Sequence, residues 1–598
     1  MIDSMTKYSF ILLNGEQEGF LDRLQELGLV DITRSVKPVD AQSTALLTDA
    51  ESARGLLDAL GHVTIPEGLE ARPFTGEPSK AARKALDRLA GLEEALKAVR
   101  KDIRTREPWG AFDAGQLQQL QEAGYRVHFH AVATKSFREE WAETLPLQVV
   151  SEAAGKTWFV TVLPEGEADP LPDETAAPAG SVQESLESQD GIEAEIRDIQ
   201  AELLGIQGHI GELEKDYERK LGALDLYLAS TAAVPAAENT IVTLVGYAPT
   251  ECDEAVTRYL DESGVFYLKD SAAVEDNPPI RFRNNRFVKM FEVLTDMYGR
   301  PAYDGFDPTP FIAVFFLLFF AFCMGDAGYG LILIVLGLLL RKADSFKDFS
   351  PLVVTLGIGT AVIGFLFHTF FSMDIAEWPL FAPVKGIFLP AKIAGYDGTM
   401  VLALVVGIVH LCLAMVVKTV HETKTKGFAN SLGTWGWTLL VVGGVIVGGF
   451  ALAGVLDKEL TRWLIIVLGV LSAAGIFLLN DLHRNPLLNI GSGLWETYNT
   501  VTGLLGDVLS YLRLYALGLA GAMLGKAFND IGGMVLGDGS HIGAWIPFIL
   551  IVLVGHTLNI AMAALGAFVH PLRLNFLEFF KNSGYEGSGR NFNPLQNQ

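Results

Sequence analysis

The segment LLGDVLSYLRLYALGLAGAML, residues 504–524, places a permanent charge, Arg513, inside an apolar run. A guanidinium keeps its proton at any physiological pH. At the centre of a bilayer it costs about 2.5–3.5 kcal/mol even on the mildest scale. The next apolar run, ALGAFVHPLRLNFLEFF (564–580), carries a second arginine, Arg573. Two such charges on neighbouring spans point to a path for an ion. If its span is Thr500–Val535, Arg513 lies about 20 Å from the start by helix rise, too deep to reach an interface by stretching. The bland alternative is a structural pair with Asp507, but six residues is a poor helical spacing for a pair.

Working outward, the chain of 598 residues divides by composition. Up to about residue 300 it reads as a charged soluble protein (1–300). From Phe311 onward apolar runs follow one another, giving a polytopic membrane domain (301–598). The spans are read as Phe311–Met324, Tyr329–Leu340, Leu352–Met373, Met400–Val417, Leu432–Leu456, Trp463–Leu479, Thr500–Val535 and Ala544–Phe580. Residues 311–340 are either one long kinked helix or a tight hairpin broken at GDAGYG. With eight spans, Arg341, Lys342, Lys347, Lys418, Lys424, Lys426, Arg484, Lys581 and Arg590 fall on the side of the soluble half, as the positive-inside rule requires. The last two spans exceed the hydrocarbon core: 36 residues reach about 54 Å against roughly 30 Å. They must tilt, kink or run on beyond the bilayer. The N-terminal MIDSMTKYSFILL lacks the basic start and small-residue cleavage site of a signal peptide. The expected placement is a multi-pass protein of a prokaryotic plasma membrane, with the first half and the C-terminus cytoplasmic.

The formal charge of −24 comes largely from the first half, which argues against nucleic-acid binding. That half reads as α+β: two α/β globules joined by an antiparallel coiled coil. Strand Tyr8–Leu13, a helix with Phe20, Leu24 and Leu27 on one face, and a strand from Leu29 open it. Heptad-like leucines (86, 89, 92, 96) with Val99 and Ile103 mark one coiled-coil segment, 78–106. A longer seam from Ile192 to Leu228 marks the other, 182–230, read as about 45 continuous helical residues. Between them lie strand candidates Tyr125–Ala133 and Thr157–Leu163, then a loop at Pro164–Gly180. Strand Thr240–Tyr247, helix Glu251–Leu260 and strand Val265–Leu268 close the half. No Walker motif, GxGxxG or nucleophile elbow appears, so this half has no expected active site. Cys252, Cys323 and Cys412 form no metal or disulfide spacing, and no cofactor is expected.

In the membrane half, His556, Asn559, Ala563, His570 and Arg573 lie near one helical face, a stripe that reads as an aqueous route. Asp481, His483, Arg484 and Glu496, with Asp507, read either as an ordinary polar loop or as the mouth of a cytoplasmic half-channel. Asp326 reads as the cap of the hairpin turn. His368 and His410 read as buried structural histidines, and Arg573 alternatively as an interfacial anchor.

Four motifs carry a resemblance. SYLRLYALGLAGAMLGKAFN (510–529), NNRFVKMFEVLTDMYGRPAYDGFDPTP (284–310), FFLLFFAFCMGDAGYGLIL (315–333) and HPLRLNFLEFFKNSGYEGSGRNFNPL (570–595) occur in the order found in the membrane stator subunit of V-type and A-type rotary ATPases, subunit a or subunit I. The chain resembles that family's bacterial and archaeal branch along its whole length. The resemblance implies a non-catalytic subunit that forms two ion half-channels and couples H⁺ or Na⁺ translocation to ATP hydrolysis or synthesis. It implies that Arg513 faces the carboxylate of a rotating proteolipid c-ring, and that Arg573 and His570 match a second arginine and a histidine of the final span. Some relatives carry a glutamate where Ala563 stands, so the lining of the route differs here. The implied partners are the c-ring, peripheral-stalk subunits, a central-stalk or ring-cap subunit, the V1/A1 ATPase sector and membrane lipid. The competing reading is a secondary transporter with a cytoplasmic regulatory domain, but the paired Gly/Pro-broken spans of that class are not seen.

Overall fold

The computed structural model describes residues 1–596 except 36, 67, 75, 111–113, 154, 177–181, 239, 343–345, 394, 480–485 and 538–541. The chain divides into two compact units, one of Leu13–Gly28, Thr33–Val242 and Leu595–Gln598, the other of Met1–Leu12, Leu29–Ile32 and Thr243–Pro594.

Among the described residues the first unit is framed by four long helices and a sheet. Helix Ala41–His62, which has no counterpart in the sequence reading, begins on a reciprocal cap. The Asp40 carboxylate accepts from Ser43 N–H at 2.7 Å, and Ser43 Oγ accepts from Asp40 N–H at 3.0 Å. Helices Pro78–Arg106 and Val182–Gln207 pack antiparallel: Ser185 donates to Asp102 at 2.9 Å and Arg100 to Glu193 at 3.0 Å, while Leu89, Ile199, Leu203 and Ile206 are buried. The expected 45-residue rod is corrected here. The helix stops at Gln207 and resumes as Ile210–Thr231, because His209 leaves the helical basin (φ −110°, ψ 21°). The two pieces have different partners. Val182–Gln207 lies along Pro78–Arg106, whereas Ile210–Thr231 lies chiefly along Ala41–His62. The antiparallel sheet has the order Leu147–Ala153, Lys156–Pro164, Tyr125–Ala133, Glu174–Thr175. Its last strand falls within the segment expected to be a loop, and pairs with Phe129 and His130.

In the second unit, strands from both ends of the soluble half share one sheet, in the order Asp31–Ile32, Ile241–Pro249, Met5–Leu13, Phe266–Ser271. Alternate residues of the Met5–Leu13 strand enter its core, with Tyr8 and Phe10 fully buried. The C-terminal tail returns to this unit through a parallel pairing of Pro279–Ile280 with Arg590–Asn591.

Among the described residues, five helices are long and apolar enough to cross a membrane: Gly398–Lys426, Ala429–Leu452, Lys458–Leu478, Asn489–Leu536 and Gly543–Ser583. Three shorter apolar helices precede them, Thr309–Met324, Ala327–Leu340 and Ser350–Leu366. Residues 311–340 are thus a hairpin of two helices. Gly325 turns the chain with φ +52°, and Asp326 caps the second helix. That helix lies close against Ser350–Leu366, where a Cβ on Gly364 would come within 2.2 Å of the Ala327 nitrogen. The span read as Leu352–Met373 ends at Leu366. Its last residues instead form a small turn in which Thr369–Phe370 pair with Met373–Asp374. A single aromatic core joins Thr309–Met324 to the last two long helices through Phe316, Phe319, Tyr511, Leu514, Phe579 and Phe580.

Candidate functional site

Arg513 stands at a break. The 36-residue span, expected to tilt, kink or run on beyond the bilayer, lies within the helix Asn489–Leu536, which is irregular at Tyr511, between Pro486–Ser510 and Leu512–Leu536. The Tyr511 side chain is fully buried, and its hydroxyl meets His410 Nδ1 at 2.9 Å. That imidazole is itself clamped between the rings of Phe315 and Phe579, with centroids 4.2 and 4.8 Å away. His410 therefore has a packing role, and it fixes the residue two before Arg513. Arg513 itself is half-buried. Its Nη1 is shut off from solvent and has no hydrogen-bond partner among the described residues. A buried charge without a partner is costly, and this nitrogen is one of several buried polar atoms of the described membrane helices that have none.

The last long helix also departs from α geometry. Ile542–Arg573 runs into a π-helical turn, Leu574–Phe579, before closing as Phe580–Ser583. Pro571 contributes no N–H to the ladder, and such π turns recur at functional positions. Arg573 is exposed at the start of this turn. His570 lies within electrostatic reach of both Arg513 and Arg573, and its buried Nδ1 has no partner among the described residues. His570 is thus the residue of the expected stripe that senses both arginines, and Arg513 and Arg573 each stand next to an irregular turn of their helix.

The other half of the expected stripe lies in a closed network. Tyr329 OH meets His556 Nδ1 at 2.7 Å, and His556 Nε2 meets Asn529 Oδ1 at 2.9 Å. Asn559 donates to Tyr329 OH and to the Gly521 carbonyl, both at 2.8 Å, and Asn529 donates to the Phe371 carbonyl at 2.8 Å. With the Asn529 amide nitrogen given to the Phe371 carbonyl, its oxygen accepts from His556 Nε2. Asp326 anchors the neighbouring turn. Its Oδ1 accepts from Gly328, Tyr329 and Phe371 N–H at 2.8, 3.2 and 2.9 Å, and its Oδ2 accepts from Ser372 N–H at 2.6 Å. Tyr329 and Asn529 escaped the sequence reading because a tyrosine and an asparagine in apolar runs carry no charge signal.

Asp507 has partners other than Arg513. Lys581 lies 3.3 Å from both its oxygens, and Asn582 donates at 2.8 Å. Glu496 is half-buried on Pro486–Ser510, whereas Asp481, His483 and Arg484 lie outside the described residues. His368 pairs with Asp374 at 3.0 Å. A cavity of about 280 Å³ opens between the 367–399 loops and the helix that follows Arg513, lined by His368, Asp397, Thr399, Leu514, Tyr515 and Gly518. Among the described residues no three His, Cys, Asp or Glu side chains converge as metal ligands.

The model of the V-type ATPase 116kDa subunit family matches residues 197–348 and 494–597, the second block containing both arginines. "A-type ATP synthase subunit I" of Methanocaldococcus jannaschii is 30% identical over 352 residues, covering 54% of this chain and 49% of that protein. The protein of the same name from Pyrococcus horikoshii is 31% identical over 402 residues, covering 64% and 56%. "V-type ATP synthase subunit I" of Chlamydia pneumoniae is 25% identical over 673 aligned positions, covering 99% of this chain and 96% of that protein. The chain thus spans about half the length of the archaeal relatives and nearly all of the chlamydial one.

Proposed function

We propose that the chain is a member of the V-type ATPase 116kDa subunit family, whose model it matches over residues 197–348 and 494–597, and that it is the non-catalytic membrane stator subunit of a rotary V/A-type ATPase. It couples the passage of H⁺ or Na⁺ to ATP hydrolysis or synthesis performed by other subunits. The observation that carries this reading is Arg513, a permanent cation among membrane helices, with a buried Nη1 that no described residue satisfies.

The physics follows from that group. A carboxylate on a rotating proteolipid ring crosses lipid only when neutral, since a bare charge there is too costly. To release its ion it must meet a positive charge that stabilises the ionised form. An arginine supplies that charge and never surrenders its own proton. The same guanidinium blocks a direct leak between two offset aqueous half-channels, so an ion crosses only by riding the ring. His570, within electrostatic reach of both arginines, and Arg573 line the route at the point of transfer. His556 and Asn559, whose hydrogen bonds are spent on Tyr329, Asn529 and Gly521, hold the two long helices together. The soluble half, with its antiparallel helix pair, serves as the arm that binds peripheral stalks and resists torque. The chain is a multi-pass protein of a prokaryotic plasma membrane, with the arm and C-terminus on the cytoplasmic side.

The test is ATP-driven ion uptake by membrane vesicles carrying the assembled complex. Arg513→Ala and Arg513→Lys abolish uptake while the complex still assembles; a lysine can shed its proton and lacks the planar fork. Normal pumping by either variant overturns the role.

A further inference from the structure

In a chain with 70 acidic and 46 basic residues, a surface cation has acids in excess to pair with. Arg72 meets Asp198 at 3.1 Å, Lys80 meets Glu77 at 2.8 Å and Arg300 meets Asp296 at 2.7 Å. Five cations around the first apolar helices do otherwise. Arg286, Lys289, Arg341, Lys342 and Lys347 are exposed, and none of their charged groups has an ion pair or hydrogen bond with a described residue. Lys289 lies within electrostatic reach of Glu292, but that carboxylate takes the Asn284 amide at 3.0 Å.

Packing brings these five to one end of the helices. Val288, Phe291 and Leu294 are buried in the core that contains Thr309–Met324, with the Phe291 and Phe316 ring centroids 6.4 Å apart, and this leaves Arg286 and Lys289 outward. Thr355 Oγ1 donates to Met290 Sδ at 3.8 Å, so the same segment lies near the start of Ser350–Leu366. Ser350 Oγ donates to the Gly337 carbonyl at 2.8 Å, which holds the end of Ala327–Leu340 beside that start. Arg341 and Lys342 follow the one helix, and Lys347 precedes the other. A cavity of about 390 Å³ opens here. Its lining is basic at Arg286 and Lys289, acidic at Asp348 alone among the described residues, and otherwise apolar; Asp344 lies outside the described residues.

The cations stand where the apolar surface ends. Leading away from Arg341, Leu338, Val335 and Leu331 are exposed at steps of three and four, and Ile358 and Val362 are exposed on the neighbouring helix. A ligand that fits both parts carries negative charge at one end and hydrocarbon along the rest. We propose that this is a binding site for an anionic phospholipid of the cytoplasmic leaflet. Its phosphate sits among Arg286, Lys289 and Lys347, and its acyl chains lie along Leu338, Val335 and Leu331. Lysines and arginines clustered just outside a membrane helix attract anionic headgroups, and the guanidinium fork matches a phosphate. An acidic protein surface would satisfy the cations but not the apolar cavity between them. The inference rests on the placement of the apolar helices in a membrane with this end cytoplasmic, and not on the role of Arg513.

The experiment places the assembled complex in phosphatidylcholine vesicles carrying a trace of photoactivatable phosphatidylglycerol, its diazirine next to the glycerol, and maps the labelled peptides. Phosphatidylglycerol is expected to label residues 286–293 and 346–352 at least threefold more than a phosphatidylcholine probe of the same design. Arg286→Gln/Lys289→Gln/Lys347→Gln removes that excess, while Lys458→Gln/Arg462→Gln, at the start of Lys458–Leu478, keeps it. All these side chains are exposed, where substitutions cost little stability, and assembly is checked by co-purification. In the parent complex, raising salt from about 0.05 to about 0.5 M screens exposed charges and at least halves the excess; this reads the site even where the triple variant fails to assemble. Equal labelling by the two probes, or an excess that the triple variant or the salt leaves intact, overturns the lipid site. Displacement of the label by soluble glycerol phosphate also overturns it, in favour of a site for a free phosphate ester. No ion transport is read, so the role of Arg513 stands or falls separately.

Discussion

Asp326 and Arg513 are both charged side chains set among apolar helices, and their surroundings treat them in opposite ways. Asp326 is almost fully buried and accepts four backbone N–H bonds. Charge-assisted bonds of that kind are about twice as strong as neutral ones. They hold Phe371 and Ser372 at φ +48° and +59°, a left-handed region that non-glycine residues seldom occupy. Its role is to clasp a turn. Asp326→Asn keeps one acceptor oxygen but presents an NH₂ group to the Ser372 N–H. The expected cost is about 1–3 kcal/mol, read as a lower thermal midpoint of the purified chain in detergent. A midpoint equal to the parent's shows that the clasp is dispensable. Arg513 has the reverse profile, with an unsatisfied nitrogen and no described anchor. The sequence shows that both residues are charges in apolar runs. It does not show their partners, because those lie far along the chain: Ser372 is 46 residues from Asp326, and Lys581 is 74 from Asp507.

At the level of elements, periodicity reveals the helices but not their breaks. The run 500–535 is legibly too long for one membrane crossing, yet neither Pro nor Gly stands at 511 to mark the interruption. It occurs where Tyr511 is tied to His410, 101 residues away. The soluble helix breaks at Gly208–His209 because its two pieces pack on different helices. Strand Glu174–Thr175 was hidden in a Pro-rich, acidic stretch for a similar reason: its order comes from side chains of the facing strand. His130 is buried between Asp169 Oδ2 at 2.9 Å and the Pro172 carbonyl at 3.1 Å, and Thr161 donates to Asp169 at 2.6 Å. Burial works against the charged form of Asp169. The Thr161 hydroxyl, the Leu171 N–H and His130 together outweigh it and hold the carboxyl below the usual aspartate range. A lowered folded-state value means that folding is favoured wherever the unfolded chain would bind the proton and the folded chain would not. The contribution is therefore complete above about pH 4, the unfolded value, and is lost as pH falls through the lower folded one. Amide exchange of residues 165–175 in the full chain, corrected for intrinsic rates, stays slow down to about pH 4 and quickens below it. Asp169→Asn quickens it already at pH 7, and equal protection in that variant at pH 7 disproves the staple.

For the molecule as a whole, the open question is which of its greasy surfaces meets lipid and which meets protein. Exposure alone cannot decide, because lipid tails are as apolar as leucine and give no hydrophobic contrast between the two. Helix Lys458–Leu478 exposes Trp463, Ile465, Val467 and Val470, a many-sided apolar surface, with its exposed charges Lys458, Glu459 and Arg462 confined to its start. The last long helix differs. Leu558, Met562 and Val569 are exposed at spacings of four and seven residues, and the next step of four reaches exposed Arg573. A guanidinium at the end of an apolar stripe does not belong against hydrocarbon, so under the proposed function that stripe is the one expected to face the acids of the ring. With the native Cys252, Cys323 and Cys412 replaced, Met562→Cys and Val569→Cys are expected to cross-link to cysteines placed beside the carboxylate of a ring proteolipid in the assembled complex. Val470→Cys is expected not to. Cross-linking from position 470 in place of 562 and 569 would move the ring to another face, and Arg513 would then have to find its acid elsewhere.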